Sequence, residues 1–202
     1  MKRSFDKILE GYKAFRERYA GGDGSVMTNL SQYGQQPQIM VIACCDSRVD
    51  PALILQCDPG DLFVIRNVAN IVPPYEKDNL HHGTSAALEF GIKVLNVKHL
   101  ILLGHSQCGG ISALLNSKLE QDDFITNWVN IVKMPNTDIN KDIDTYAKLA
   151  LNQSFQNCLT FPWIYEKVIQ KELMIHLWFF DIKTGTIFTH DNDKKEYDSL
   201  VL

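Results

Sequence analysis

Three short apolar runs decide which folds are open to this chain: Gln38–Cys44, Leu62–Ile65 and His99–Gly104. Each is unbroken and rich in branched side chains, the pattern of strands buried on both faces. The segments between them read as helices and turns. Asp50 and Pro51 are a cap and a first-turn residue for a helix running to about Gln56. Asp58-Pro59-Gly60-Asp61 is a turn, and Asn67–Pro74 is a loop in which Pro73-Pro74 forbids helix. Gly83–Leu95 carries Ala86, Ala87, Phe90 and Val94 at helical spacing, and a further helix follows Gly109-Gly110 to Leu119. Strands alternating with helices predict an α/β fold, a central and largely parallel sheet flanked by helices.

The ends of the chain add to this frame. Phe5, Ile8, Leu9, Tyr12, Phe15 and Tyr19 recur at helical spacing until Gly21-Gly22, so residues 1–24 form a helical arm packing on the domain or on a partner subunit. Asp122–Thr160 is more polar and helical, broken near Pro135-Asn136, and another helix spans Phe161-Pro162 to Lys171. Met174–Ile182 and Thr186–His190 flank Lys183-Thr184-Gly185 as a C-terminal hairpin. At 202 residues, positions 1–202 are expected to form a single domain. A formal charge of −4 argues against a nucleic-acid partner, and no apolar stretch reaches the ~18 residues of a membrane span. Asp6, Lys7 and Glu10 interrupt what would be a secretory signal, so the expected location is cytoplasmic. In such a reducing compartment, five cysteines point to metal ligands, catalytic groups or apolar fillers.

Two of the strands end in reactive residues. The first runs into Cys44-Cys45-Asp46-Ser47-Arg48 and the third into Gly104-His105-Ser106-Gln107-Cys108-Gly109-Gly110. Ligands in open α/β sheets bind beyond the carboxyl ends of strands, where two such clusters converge. His105 and Cys108 offer the N and S donors that zinc favours, and one more cysteine makes three ligands with an open fourth position, the catalytic arrangement. Neighbours on a strand point to opposite faces, so only one of Cys44 and Cys45 binds, and spacing does not choose between them. Two thiolates and a neutral imidazole leave Zn²⁺ formally neutral, so its activation of water needs help. Asp46, an acceptor when ionised, is placed to orient that water, and Arg48 to hold Asp46 ionised.

These residues together resemble the β-class carbonic anhydrases. The likeness rests on Cys44-x-Asp46-Ser47-Arg48 followed by Gly104-His105-Ser106-x-Cys108-Gly109-Gly110, with Pro59–Asn70, Val72-Pro73-Pro74-Tyr75 and Trp178–Asp181 in support. It is strongest over about residues 35–115. The resemblance implies one zinc ion per chain on Cys44, His105 and Cys108, with Asp46 and Arg48 as the catalytic pair. It implies that a zinc-bound hydroxide attacks CO2, giving bicarbonate and a proton. It also implies that Gln35 hydrogen-bonds substrate, that Phe63, Val68 and Phe90 form the apolar CO2 pocket, and that Gly109 offers backbone nearby. Since that pocket is typically built at a dimer interface, a homodimer or higher even oligomer is expected.

The chain departs from the family pattern at several positions. Cys45 replaces the usual Ser, and Phe90 stands where some plant-like members have Tyr. One subtype binds regulatory bicarbonate through Trp, Arg and Tyr. The matching positions here are Val41, Arg66 and Phe180, so only the Arg remains and that site is expected to be absent. His81 and His82, before the Gly83 helix, read as a solvated helix start, with proton relay as the sharper reading. His99, His176 and His190 read as strand residues without partners, and Cys57 and Cys158 as apolar fillers. The rival functions are a hydrolase of carbon disulfide or carbonyl sulfide on the same scaffold, a structural-zinc binding module, and a thiol redox protein using Cys44-Cys45.

Overall fold

The computed structural model describes residues 5–78, 80–116, 123–133, 142–191 and 196–200. Among these, α1 (Phe5–Tyr19) and α2 (Val26–Tyr33) precede the sheet. The strands are β1 (Ile39–Cys44), β2 (Leu62–Asn67), β3 (His99–His105), β4 (Met174–Asp181), β5 (Thr186–Asp191) and β6 (Glu196–Ser199). The helices between them are α3 (Pro51–Ile54), α4 (Gly83–Glu89), α5 (Gly109–Asn116), α6 (Phe124–Val129), α7 (Ile143–Thr160) and α8 (Pro162–Ile169). The strands form one sheet in the order β2-β1-β3-β4-β5-β6. The first four are parallel; β5 adds antiparallel to β4, and β6 antiparallel to β5.

The expected α/β architecture is therefore present, with the central strands β1 and β3 almost wholly buried. That burial follows from their position: each has a strand on either side and side chains covered on both faces. Asp50 caps α3 as expected, its Oδ1 accepting from the Leu53 N–H, with Pro51 in the first turn. The main core lies under α4, α7 and α8 and includes Met40, Ile42, Leu88, Leu100, Leu102, Leu151 and Ile164. Gly104 lets α7 sit close: a Cβ there would come within 2.7 Å of Leu151 Cδ1.

Several elements differ from the sequence expectation. α2 has no counterpart in the sequence expectation, and Ser25 caps it. The helix read over Gly83–Leu95 is α4 continued by a π-helical turn, Phe90–Val94. The C-terminal hairpin gains a third strand, β6. The helix expected to Leu119 is described to Asn116, and residues 117–119 and the Pro135-Asn136 break lie outside the described residues. Over residues 123–160, the described chain holds two helices, α6 and α7. In α1 no residue is buried, so its apolar face is not covered by the other described residues. Tyr19 and Arg18 tie its end to Asp58.

Candidate metal centre

β1 and β3 are hydrogen-bonded neighbours, with Ala43 opposite Leu103. Their carboxyl ends therefore place Cys44 beside His105, and the turn into α5 brings Cys108 to the same point. The ligand atoms of Cys44, His105 and Cys108 lie within 4.8 Å of one another, and all three residues are buried. Strand alternation sends Cys45 outward instead, where it is exposed, so the structure chooses between the adjacent cysteines.

The donor set has the chemistry of a cation site. His105 Nδ1 donates to the Ser106 carbonyl at 2.9 Å, which leaves Nε2 with a lone pair. That Nε2 is buried and has no hydrogen-bond partner among the described residues. The Cys44 and Cys108 sulfurs are 4.0 Å apart. The hydrogen bond from Cys108 pulls the Cys44 thiol down to about 4, and the resulting thiolate, with burial, pushes Cys108 up. Two thiolates cannot share this space unless a cation neutralises them. An orphaned imidazole nitrogen and two coupled thiols fit zinc.

Beside the cluster, Arg48 Nε and Nη2 donate to Asp46 Oδ1 and Oδ2 at 2.9 and 2.7 Å. The Arg48 N–H adds a third bond to Oδ1. These contacts hold the Asp46 carboxyl well below the usual carboxylate range against the opposing effect of burial. Arg48 Nη2 also reaches the Gln107 carbonyl at 3.1 Å, joining the β1 turn to the His105–Cys108 loop. Arg66 straps the same turn from beneath. Its Nε donates to the Cys44 carbonyl, its Nη2 to the Asp46 carbonyl and its Nη1 to Asp50 Oδ2. The sequence marked Arg66 only as the remnant of a regulatory trio. No local sequence pattern marks that second use, which follows from Arg66 standing directly opposite Ala43 on β2, beside the reactive turn.

The substrate candidates divide into two groups. Val68 and Gly109 lie by the cluster. Val68 packs on Gly110, where a Cβ would come within 2.7 Å of Val68 Cγ1, and its carbonyl accepts from Trp128 Nε1. Phe63 and Phe90 stack on each other, ring centres 5.9 Å apart, and Phe63 pairs in register with Met40 near the amino end of β1. Four residues of strand, roughly 13 Å, separate that level from Cys44. Gln35 is exposed, before the same end of β1. A single chain thus brings together the three donors, Asp46, Arg48, Val68 and Gly109, but not Gln35, Phe63 and Phe90.

His99 and His176 are not without partners: Nδ1 of one lies 3.0 Å from Nε2 of the other. His190 meets the Tyr197 ring edge-on. His82 bonds Asp78 at 2.6 Å just before α4, and with His81 it lines a cavity of about 820 Å³ that also touches Cys45, Asn67 and Trp128. Cys158 is fully buried, a filler as expected.

The sequence model of the carbonic anhydrase family matches residues 39–187. Beta carbonic anhydrase 3 of Arabidopsis thaliana is 33% identical over 210 residues, covering 98% of this chain and 81% of that protein. The chain belongs to the β-carbonic anhydrase family. The chloroplastic beta carbonic anhydrase 5 of the same plant is 38% identical over 188 residues, 88% of this chain, which spans only 62% of that longer protein. Among solved structures, the β-carbonic anhydrase CcaA superposes with a TM-score of 0.85 at 31% identity, covering 96% of this chain and 98% of that one. A β-carbonic anhydrase from Sordaria macrospora, described as tetrameric, gives 0.77 at 30% identity, covering 92% and 95%.

Proposed function

We propose that this β-carbonic anhydrase chain is a zinc enzyme that hydrates CO2 reversibly: CO2 and water give bicarbonate and a proton. The observation that carries the reading is an unpartnered, buried His105 Nε2 facing two thiols, beside a carboxylate gripped at both oxygens by Arg48. Cys44, His105 and Cys108 would hold the metal, the three-ligand donor set that suits a catalytic rather than a structural zinc. When bound, zinc acts as a Lewis acid that lowers the pKa of water. Asp46 is an acceptor only, so it takes a hydrogen bond from the attacking water and aims a lone pair at carbon. Arg48 keeps Asp46 ionised and in place. Val68 and Gly109 line the approach.

A second copy completes the pocket. Phe63, Phe90 and Gln35 are remote from the donors of their own chain, and the apolar face of α1 stands open. We therefore read the working form as a homodimer or higher even oligomer in which a second copy brings its Gln35, Phe63 and Phe90. CO2, being uncharged, suits such an apolar slot. We also read residues 1–202 as one domain in the cytoplasm, since the free thiols fit a reducing compartment. Among the described residues, no helix is long and apolar enough to cross a membrane.

The structural-zinc reading needs four ligands, and only three donors converge among the described residues. Zinc content and stopped-flow CO2 hydration on wild type and Cys108→Ser test the proposal. One zinc per chain with rapid hydration, both lost in the variant, is expected. One zinc with no hydration, but turnover of carbon disulfide, would contradict it.

A further inference from the structure

The loop between His105 and Cys108 is held at every peptide. The Ser106 N–H donates to the Phe180 carbonyl, and Ser106 Oγ accepts from the Ile182 N–H. Gln107 takes a positive φ of 54°, a left-handed conformation that a residue with a Cβ adopts only when its surroundings impose it. Two charged groups hold its peptides here. The Gln107 N–H donates to Asp144 Oδ1 at 2.7 Å, and the Gln107 carbonyl accepts from Arg48.

The peptide between Ser106 and Gln107 has a further use. Its N–H faces Asp144, and its carbonyl is the group that accepts from His105 Nδ1. A carboxylate on the N–H polarises the peptide and makes its carbonyl the stronger acceptor, because hydrogen bonds in a chain reinforce one another. That holds the proton on Nδ1, fixes the ring and leaves Nε2 as the donor. Carboxylates commonly do this to metal-binding histidines by direct contact. Here the contact passes through one peptide unit.

Asp144 is free for this role because it does not cap its own helix. At the start of α7 the cap is Asp142, which accepts from the Thr145 N–H and hydroxyl. Asp144 turns across to the loop instead.

We propose that Asp144 is a positioning residue of the metal centre: through the Ser106–Gln107 peptide it orients His105 toward zinc, and through Gln107 it holds the carbonyl on which Arg48, and so Asp46, is registered. This rests on Cys44, His105 and Cys108 being the zinc ligands. The test measures zinc affinity by competition with a chromophoric chelator, kcat/KM for CO2 hydration, and Tm, for wild type, Cys108→Ser, Asp144→Ala, Asp144→Asn and Asp142→Ala. Asp144→Ala is expected to lose about tenfold or more in zinc affinity and in kcat/KM, the range of other outer-shell losses. Asp144→Asn keeps the acceptor shape without the charge and should fall between. Asp142→Ala should lower Tm and leave zinc affinity intact, which separates a metal-directed role from support of the helix end. If Asp144→Ala and Asp144→Asn both keep zinc affinity and kcat/KM within twofold of wild type, the inference is overturned. If Cys108→Ser binds zinc as well as wild type, the ligand assignment itself has failed instead.

Discussion

Arg48 offers Asp46 two parallel donors and still reaches the Gln107 carbonyl, a geometry only a guanidinium provides. Arg48→Lys keeps the charge and loses the fork. We predict that kcat/KM for hydration falls about tenfold, the effect of losing one charge-assisted hydrogen bond of roughly 1.4 kcal/mol, with zinc content unchanged. His176 gives the fold a pH dependence of its own. Burial first, then the charge of His99, lowers its pKa below 6.5. The unfolded chain therefore binds more protons than the folded one below pH 6.5, and stability is lost as pH falls from that value toward the depressed one. His176→Gln should flatten that part of a Tm-against-pH curve, read as the difference from wild type. At this scale the sequence was informative where the chemistry is local. The Cys44, His105, Cys108, Asp46 and Arg48 cluster was visible because strand ends converge. The His99–His176 contact joins residues 77 apart, and no local pattern carries it.

Among elements, the strands that build the site were legible because central parallel strands must be apolar on both faces. β6 was not, because Glu196–Ser199 is an edge segment whose polar residues are mostly exposed. α2 hid for a similar reason: it buries no residue, and only its Ser25 cap marks it. The turn into α5 shows how one glycine serves the site. A Cβ on Gly110 would meet Val68 Cγ1 at 2.7 Å and Ala69 Cβ at 3.0 Å, in the turn whose Val68 carbonyl is fixed by Trp128. Gly110→Ala should destabilise by about 1–3 kcal/mol, the usual effect of overpacking, and reduce activity as Val68 shifts. Urea unfolding gives the first number. A variant as stable as wild type would show that Val68 yields freely.

For the whole molecule, the proposed shared pocket would make assembly part of the chemistry, since Phe63 and Phe90 stand apart from the metal donors of their own chain. α1 leaves Phe5, Ile8, Leu9 and Tyr12 more than half exposed, an apolar stripe that a lone chain has no reason to keep. Replacing Ile8 and Leu9 together with Glu should shift sedimentation toward the single chain and lower hydration activity in parallel, with zinc still bound. Full activity in a demonstrated monomer would contradict the shared pocket.

The proposed chemistry needs an open zinc site whose attacking water is oriented by Asp46. Stopped-flow CO2 hydration between about pH 6.5 and 9, a range around the values expected for zinc-activated water, on metal-quantified wild type and Asp46→Ala decides it. One zinc per chain is expected in both proteins, with rapid hydration by wild type and a loss of at least about a hundredfold in the variant, the lower end for a positioned proton-handling group. Equal activity in the two proteins, each with its zinc, would contradict it.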